Sequence, residues 1–432
     1  MNVNISWYSP LDARASEIAR YSWQILPVIG RHLGIAGVWS EEGRAAPEGW
    51  YGGELAPPIP GVDPLPVYHI GNNPLHLPIY EQSLREPGLV ILHDLSLVDL
   101  ARQQSHQAGE PELWKELMYR QYGDEIRALV NLSENSVDHY NEMVANYPLF
   151  QPFIEGAIGV VVHSRHAEHA VNRQTEGTLP VRYLPLPGAP CPGEGGTSRG
   201  NDPLRFVFCG HVGPNRRLVQ FLEAWGGLSA PGRIRLELFG NISSSKLLLD
   251  YARHFNVAEY LEFRGYVSDD ELDLALQSAD FALNLRWPSM GEASASQLRY
   301  WAAGLPTLVS DVGWYGEQPD DVVCKIAVLE EIPQIRALLQ DALADPGKYR
   351  EIGLRGCEHL RRRHLAAEYA RQLADFAVSL TRGRLAWRTL DRGLVGVIAS
   401  LCDSETQIPL FRHAIETAST VLDAQLIDTG ET

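Results

Sequence analysis

The chain has 432 residues, of which 45% are hydrophobic, and a formal net charge of −17 at pH 7. Because this length exceeds the size at which a single hydrophobic core stops growing, two domains are expected. The negative charge argues against a surface that binds nucleic acid throughout, since phosphate backbones need clustered Lys and Arg. With no run of eighteen apolar residues and no secretory signal pattern, a cytoplasmic protein is expected. The five cysteines lack C-x-x-C spacing, which indicates neither a zinc site nor a disulfide framework.

In the first half of the chain, strand-like and helix-like segments alternate, as they do in parallel α/β domains. The segment ISWYSPLDARASEIARYSWQILPVI at residues 5–29 predicts a strand, a loop and a helix. Short apolar runs then end at polar residues in VYHI at 67–70, GLVILHD at 88–94 and GVVVHS at 159–164. Buried parallel strands have this pattern and deliver polar side chains to a crevice at their carboxyl ends. The functional edge is therefore predicted to be the carboxyl edge of the sheet.

A segment rich in Pro, Gly and polar residues, PGAPCPGEGGTSRGNDP at 187–203, has the composition of a linker. The apolar runs after it predict five strands of a second doubly wound sheet: RFVFCG at 205–210, IRLELFG at 234–240, LEFRGYV at 261–267, FALNLR at 281–286 and PTLVSD at 306–311. An amphipathic helix is predicted at 368–385, and a helical, interfacial tail at 386–432. These patterns predict an α/β fold with Rossmann-like domains at 1–190 and 203–365 and a helical extension at 366–432.

The segment from Asn284 to Asp321, NLRWPSMGEASASQLRYWAAGLPTLVSDVGWYGEQPDD, combines a strand end, a Gly turn and a helix. A helix opened by the acidic Glu292 is expected there, with free backbone N–H groups that attract an anion. The segment resembles the donor-site signature of the retaining glycosyltransferases of family 4, in which an acidic residue precedes a helix that leads to an A-x-G-x-P turn. That turn is Ala302, Gly304 and Pro306 here, and the order of further motifs extends the resemblance over about residues 3 to 380.

The resemblance implies the GT-B fold, in which two doubly wound Rossmann-like domains face each other across a cleft. The late helix at 368–385 would cross back toward the first domain. The resemblance also implies catalytic roles for His93, Glu292 and Arg216. It implies a donor-binding set of Gly210, His211, Arg217, Gly265, Tyr266, Val267, Arg286, Gly291, Ala293, Ser294 and Arg299. The predicted acceptor-side set is Ser16, Glu17, His69, Asn72, Asn73 and Asp94.

Several of these residues have a second interpretation. Arg216 stands where the family usually has a phosphate-binding lysine, and a guanidinium can chelate two phosphate oxygens; the alternative is an exposed surface arginine. His93 corresponds to a histidine near the transferred sugar, or it simply caps a strand end. Asn72 and Asn73 face substrate hydroxyls or serve turn chemistry after Gly71.

On the nucleotide side, Tyr266 in the G-Y-V segment stacks on the base or belongs to the core. Arg286 reaches the phosphates or the sugar, or it pairs with a nearby carboxylate.

Three positions depart from the family pattern. Arg299 occupies the place of a carboxylate that holds the ribose, so ribose recognition must differ, through Glu317 or through water. Glu17 replaces a small glycine in the first loop, and its charge would repel a diphosphate unless it faces the acceptor. His211 stands where the family often has an arginine.

The resemblance implies a hexosyl transfer, with retention, from a nucleotide-diphosphate sugar to a hydroxyl acceptor in polysaccharide biosynthesis. The acceptor would be a glycan, a lipid-linked glycan or a small molecule. The leaving diphosphate would help to deprotonate the acceptor while Arg216 and helix N–H groups stabilise its charge. No cofactor is expected, because the sugar nucleotide is itself the donor substrate. No metal is expected, because no D-x-D sequence stands at a strand end with a supporting His. A peripheral membrane contact or a homo-oligomer is compatible with the sequence, and nucleic acid is not an expected partner.

The substitutions at Glu17, His211 and Arg299 also favour an alternative, a catalytically degenerate GT-B protein that binds or activates a partner. The presence of His93, Arg216, Gly291 and Glu292 opposes this alternative. A third hypothesis keeps the fold but changes the reaction to nucleotide-sugar epimerisation or phosphorolysis.

Overall fold

The computed structural model describes residues 3–46, 55–189, 202–241 and 245–381. Residues Met1–Val378 form one compact unit, and Ser379–Thr432 form a second, of which the described part is 379–381. The predicted tail at 386–432 and most of the predicted linker at 187–203 lie outside the described residues. The predicted domain boundaries at 190, 203 and 365 remain predictions.

The first half of the chain builds a six-stranded parallel sheet in the order β2-β1-β3-β4-β5-β6. Its strands are β1 Asn4–Tyr8, β2 Gly34–Trp39, β3 Leu65–Ile70, β4 Gly88–Leu92, β5 Ala157–Val162 and β6 Val181–Tyr183. The strand order reverses between β1 and β3. In doubly wound sheets, ligands bind outside the carboxyl ends of the strands at such a reversal.

A second six-stranded parallel sheet follows, in the order β12-β11-β10-β7-β8-β9. Its strands are β7 Leu204–Cys209, β8 Ile234–Phe239, β9 Leu261–Gly265, β10 Phe281–Asn284, β11 Thr307–Ser310 and β12 Cys324–Ile326. Counted within this half, the order is that of a Rossmann sheet, with the reversal between β7 and β10. Phe206 and Phe281 stack there with ring centroids 4.8 Å apart, so core packing fixes the two strands that flank the crevice.

Helices connect the strands of both sheets. In the first half they are α1 Glu17–Ile29, α2 Leu77–Arg85, α3 Val98–Gln107, α4 Leu113–Tyr122, α5 Arg127–Ser133, α6 Val137–Asn146 and α7 Arg165–Gln174. In the second they are α8 Leu218–Gly226, α9 Ser245–His254, α10 Asp269–Ser278, α11 Ala295–Ala302, α12 Gly313–Gly316, α13 Glu331–Ala344 and α14 Arg350–Arg363. A further helix runs from 366 to 381, at the predicted late helix. No helix in the described ranges is long and apolar enough to cross a membrane.

All nine strands predicted from apolar runs are present, and the predicted α/β class with two doubly wound sheets is confirmed. Three strands were missed. The segment GIAGVW of β2 begins with Gly34 and contains Gly37, and glycine weakens a strand pattern. The other two, β6 and β12, have only three residues each, too few to give a periodic signal.

Each sheet has its own hydrophobic core. In the first half, β3, β4 and β5 pack against helices α2 to α7 through residues such as Leu92, Val130 and Phe153. In the second half, β7, β8 and β10 pack against α8 and α13 through Trp225 and Leu339. Both cores consist mainly of strand and helix residues. The polar residues of the loops at the carboxyl ends of the strands are therefore available to form a site.

Candidate active site

The loop after β10 is organised by Glu292. One carboxylate oxygen, Oε2, accepts hydrogen bonds from the Met290 backbone N–H at 2.7 Å and from Ser289 Oγ at 3.0 Å. The predicted helix opened by Glu292 is wrong in its start, because α11 begins at Ala295 and is capped by Ser294, whose hydroxyl accepts from Gln297 N–H at 3.1 Å. Serine is a strong N-cap residue, which explains why the helix begins there. Glu292 therefore shapes the loop that leads into the helix.

The other oxygen of Glu292, Oε1, faces a buried cation. Arg286 Nε lies 3.1 Å from Oε1, and the Tyr315 hydroxyl donates to the same oxygen at 3.2 Å. The Arg286 side chain is 9% exposed and that of Glu292 16%, so the pair is largely withdrawn from water. Of the two interpretations of Arg286, the structure shows the pairing with a carboxylate. Burial raises the pKa of Tyr315, which keeps its hydroxyl protonated as a donor.

This loop contacts the first half of the chain. The Met290 carbonyl accepts hydrogen bonds from the backbone N–H groups of Leu95 at 2.7 Å and Ser96 at 2.9 Å. Leu95 and Ser96 directly follow the His93–Asp94 pair at the carboxyl end of β4. Burial, and next the charge of Glu292, raise the pKa of Asp94 to about 7. The structure thus brings the predicted catalytic residue His93 and the predicted acceptor-side residue Asp94 next to Glu292, a second predicted catalytic residue.

Gly291 permits this contact between the two loops. Its φ is +82°, and a Cβ at this position would lie 2.6 Å from Leu95 Cβ. Gly291→Ala is expected to lower the free energy of unfolding by about 3 kcal/mol, of which about 1 comes from left-handed strain and the rest from overlap. Gly61→Ala is the matched control, because Gly61 has φ +74° and nothing within 4 Å of its Cβ position. Urea unfolding of both variants measures the difference, and equal losses would contradict the contact.

Of the predicted acceptor-side residues, Ser16, Asn72 and Asn73 cap local structure. Ser16 Oγ accepts from Ile18 N–H at the start of α1, and Asn73 Oδ1 accepts from Leu75 N–H. Asn72 Oδ1 accepts from two backbone N–H groups at the start of α3, those of Asp99 and Leu100. The turn-chemistry interpretation therefore describes Asn73, whereas Asn72 caps the start of α3, a role that neither interpretation named.

His69 and His93 are side by side on neighbouring strand ends. His69 is fully buried at the end of β3, and its Nδ1 lies 2.9 Å from Nε2 of the half-buried His93. Burial, with smaller contributions from neighbouring histidines, lowers the pKa of both rings well below the usual value. Both imidazoles are therefore neutral at neutral pH.

The loop after β7 holds the predicted phosphate-binding cation. Arg216 Nε donates to the His211 carbonyl at 3.0 Å, and no carboxylate within the described ranges pairs with Arg216. The Asn215 carbonyl accepts from Trp287 N–H at 2.8 Å, which ties this loop to the loop of Glu292. Arg217, in contrast, forms a two-pronged ion pair with Glu331. Of these two arginines, Arg216 is therefore the one whose charge is not paired with a carboxylate among the described residues.

The remaining donor-side residues lie at neighbouring strand ends. Gly210 and Gly265 follow β7 and end β9 with φ of +137° and +69°, and His211 is exposed. Tyr266 is 66% exposed, so its ring does not belong to the core, whereas Val267 packs against a buried cluster that includes Phe239. Ala293 and Ser294 lead into α11, where Asn284 Nδ2 donates to Ser294 Oγ at 3.0 Å.

The two charged departures from the family pattern belong to one ion-pair network. Arg299 donates to Asp269 at 2.9 Å and to Asp273 at 2.8 Å. Asp269 also binds Arg20 at 2.5 Å, and Arg20 lies 3.5 Å from Glu17. Burial raises the pKa of Asp269, but the hydrogen bonds from Arg20 and Arg299 outweigh it and lower the pKa overall. Glu17 and Arg299 are therefore linked across the two halves of the chain.

This network predicts a measurable coupling between α1 and α10. A double-mutant cycle on Arg20→Ala and Asp269→Ala is expected to give a coupling energy of about 1 kcal/mol, the upper end for a part-exposed pair. Salt at about 1 M should reduce it, because the Debye length falls to about 3 Å. The control is the ion pair Arg44–Glu42, whose side chains are 80% and 59% exposed, so its expected coupling is near zero. Equal couplings for the two pairs would contradict the network.

Glu317, the predicted alternative ribose carboxylate, is engaged elsewhere. Its two oxygens accept from the backbone N–H groups of Arg165 and His166 at the start of α7. Sequence reasoning missed Arg20, Asp269, Ser289 and Tyr315. Of these, Tyr315 carried a usable signal, because it lies just after a predicted strand end in the same segment as Glu292. No three His, Cys, Asp or Glu side chains in the described part of the chain are arranged to hold a metal ion.

No family model matches the chain, and no curated protein sequence matches it. Solved structures do match. Sucrose-phosphate synthase from Thermosynechococcus elongatus aligns over 88% of this chain and 100% of its own, with 14% identity and a TM-score of 0.58. WaaG, a glycosyltransferase involved in lipopolysaccharide biosynthesis, aligns over 87% and 99%, with 14% identity and a TM-score of 0.53. HepE from Anabaena, solved with UDP and glucose, aligns over 88% and 100%, with 11% identity and a TM-score of 0.52.

At these identities the likeness shows the fold alone. The chain has the α/β architecture of these GT-B glycosyltransferases, with two parallel six-stranded sheets. The predicted fold class is confirmed. Membership of family 4 and retention of configuration remain predictions.

Proposed function

We propose that the protein is a retaining glycosyltransferase that moves a hexose from a nucleotide-diphosphate sugar to a hydroxyl acceptor. The observation that carries the proposal is the contact between the Glu292 loop and the His93–Asp94 loop, through the Met290 carbonyl. Both loops lie at carboxyl ends of parallel strands, where doubly wound folds bind ligands. The structure of HepE, which has this fold, contains UDP and glucose, and this supports a nucleotide sugar as the class of ligand.

Arg216 is the proposed partner of the diphosphate. Its charge is uncompensated among the described residues, and the Asn215–Trp287 hydrogen bond keeps its loop beside the Glu292 loop. A guanidinium stays charged at all working pH values and binds phosphate oxygens in a fork. It would therefore stabilise the charge that develops on the leaving diphosphate.

Glu292 and Asp94 would act on the sugar. The Arg286 pair, with the Tyr315 hydroxyl and the Met290 N–H, holds the Glu292 carboxylate in one place, so it can accept from sugar hydroxyls without reorganisation. Asp94, with a pKa of about 7, is a mixture of acid and carboxylate at neutral pH and can donate or accept. In this mechanism no protein group is required as a base, because the leaving diphosphate takes the proton of the acceptor.

Transfer is tested with the full chain, a panel of nucleotide sugars and a pool of glycan, lipid-linked and small-molecule acceptors. We expect one nucleoside diphosphate to be released, and only when an acceptor is present. We also expect a product whose anomeric configuration, read by NMR, equals that of the donor. An inverted product would refute retention, and no release with any donor would refute the transferase.

The second candidate is a catalytically degenerate GT-B protein that binds or activates a partner. The specific observation in its favour is Arg299, which stands at the ribose carboxylate position and is fully engaged by Asp269 and Asp273. Under this hypothesis the fold is retained while donor binding is lost. Absence of nucleotide binding in a folded protein would select it.

A further inference from the structure

Four histidines cluster at the carboxyl edge of the first sheet, beneath the proposed sugar site. His69, His76 and His163 are buried, and His93 is half-buried at the end of β4. The Tyr21 ring lies 5.5 Å from the rings of His69 and His93, measured between centroids. The hydrogen bonds of these rings decide which nitrogen of each carries the proton.

Two of the rings have a fixed tautomer. His76 Nδ1 lies 2.7 Å from the His69 carbonyl, and His163 Nδ1 lies 3.0 Å from the Leu184 carbonyl. A carbonyl can only accept, so each ring must carry its proton on Nδ1. The Nε2 atoms of both rings have no hydrogen-bond partner among the described residues, which fits bare lone pairs.

The pair formed by His69 and His93 permits two arrangements. In the first, His69 Nδ1–H donates to His93 Nε2; in the second, His93 Nε2–H donates to His69 Nδ1. The second would place the His69 proton on Nε2, a buried atom with no partner in the described part of the chain. An orphaned buried N–H is rare and costly, whereas in the first arrangement the orphan is only a lone pair. The first arrangement is therefore favoured, and it places the His93 proton on Nδ1.

We propose that His69 is a positioning residue that holds His93 as its Nδ1–H tautomer, so that His93 presents a hydrogen-bond donor to an oxygen of the transferred sugar. The sugar-facing part of this inference rests on the proposed glycosyltransferase function, but the tautomer does not. Trp7, whose ring centroid lies 4.4 Å from that of His69, and Tyr21 pack against the His69 ring and restrict its rotation. The lowered pKa of both rings supports a neutral pair.

A neutral Nδ1–H tautomer has a chemical consequence. Its free nitrogen carries a proton rather than a lone pair, and the lone pair on Nε2 is occupied by His69. His93 then cannot take a proton from the acceptor hydroxyl, and it serves as a donor that orients the sugar. This agrees with a mechanism in which the leaving diphosphate accepts that proton.

The tautomer is measured by ¹⁵N NMR of the full chain labelled in histidine, with the His93 signals assigned from their loss in His93→Gln. We expect a protonated Nδ1 and an unprotonated Nε2 for His93 at neutral pH. In His69→Phe, which removes the donor, His93 should shift toward the Nε2–H tautomer. His69→Asn places its Nδ2 donor near the position of His69 Nδ1 and should restore the wild-type pattern. A protonated Nε2 on His93 in the wild type would overturn the proposal.

Activity separates positioning from simple loss of stability. His69→Phe is expected to lower kcat by about 10- to 100-fold with the KM for the donor little changed, and His69→Asn should recover most of the rate. His364→Gln is the matched control, because His364 is a buried histidine whose Nδ1 binds the Leu186 carbonyl. It should alter stability but neither kcat nor the His93 signals. An equal loss of kcat in His69→Asn and His69→Phe would overturn the positioning role. If His93 has the predicted tautomer but the protein shows no transfer activity, the His69–His93 hydrogen bond is supported and only the proposed function is refuted.

Discussion

Glu292→Gln is expected to lower kcat/KM for glycosyl transfer by about 100- to 1000-fold, the usual range when a preorganised polar group is removed from an active site. The amide keeps the shape of the side chain but removes the charge that pairs with Arg286. It also places an N–H₂ group where Ser289, the Met290 N–H or Tyr315 donates. The loop that contacts Leu95 and Ser96 would then lose its fixed geometry. Initial rates of nucleoside-diphosphate release measure the effect.

Stability must be separated from catalysis in this variant, because breaking a buried ion pair costs about 3 kcal/mol or more. Glu237→Gln is the matched control. Glu237 is a buried glutamate of β8 that pairs with Arg205 at 2.6 Å, away from the carboxyl edge of the sheet. Glu237→Gln should lower the free energy of unfolding by a similar amount and leave kcat/KM unchanged. Equal rate losses in the two variants would show that Glu292 acts through stability alone.

The second large effect is a loss of stability in acid. Burial lowers the pKa of His76, His163 and His364 to about 4. In the unfolded chain these groups titrate near their ordinary value of about 6.5. The unfolded state therefore binds more protons between about pH 4 and 6.5, and folding stability falls as the pH falls through this window. Each histidine is expected to cost about 2 kcal/mol at about pH 5, and His69 and His93 act in the same direction.

Asp94 acts in the opposite direction. Its pKa is raised to about 7 in the folded protein, so the folded state binds the extra proton between about pH 4 and 7. Its contribution to stability is present at low pH and is lost as the pH rises through 7. One carboxyl offsets about one histidine, so the net effect of acid is destabilising.

Urea unfolding at about pH 5, 6 and 7.5 tests both signs. The midpoint should fall from pH 7.5 to 5, His364→Gln should reduce that fall, and Asp94→Asn should increase it. A midpoint that is unchanged or rises in acid would contradict the neutral buried histidines.

The strands that position the site were predictable because they are buried on both faces. Runs such as RFVFCG and GVVVHS are continuous apolar segments that end in polar residues, and this pattern depends only on neighbours in the sequence. The start of α11 was less predictable. Ser294 and Glu292 are both plausible near a helix start, and the choice depends on whether the carboxylate binds helix or loop N–H groups.

The ion-pair network could not be predicted from the sequence. From the sequence, the charge of Glu17 in the first loop was expected to repel a diphosphate. In the structure, Arg20 lies three residues later on α1 and contacts both Glu17 and Asp269. Arg299 likewise finds its partners on α10. The Arg20–Asp269 contact joins residues 249 positions apart in the chain, and no local pattern encodes it. The Arg286–Glu292 pair differs, because pairing with a nearby carboxylate was one of the two sequence-based interpretations of Arg286.

Binding of a nucleotide sugar through Arg216 separates a glycosyltransferase from a partner-binding protein with the same fold. Melting temperatures of the full chain are measured with UDP, GDP, ADP, CMP and dTDP and with their common sugar derivatives. A ligand at about 100 times its Kd stabilises the folded state by about 2.7 kcal/mol. Arg217→Ala is the control, because the Arg217 guanidinium is held by Glu331. We expect one nucleotide to raise the melting temperature, and we expect that rise to be lost in Arg216→Ala and kept in Arg217→Ala. No rise with any nucleotide, in a protein that melts cooperatively, would contradict the transferase and favour the partner-binding protein.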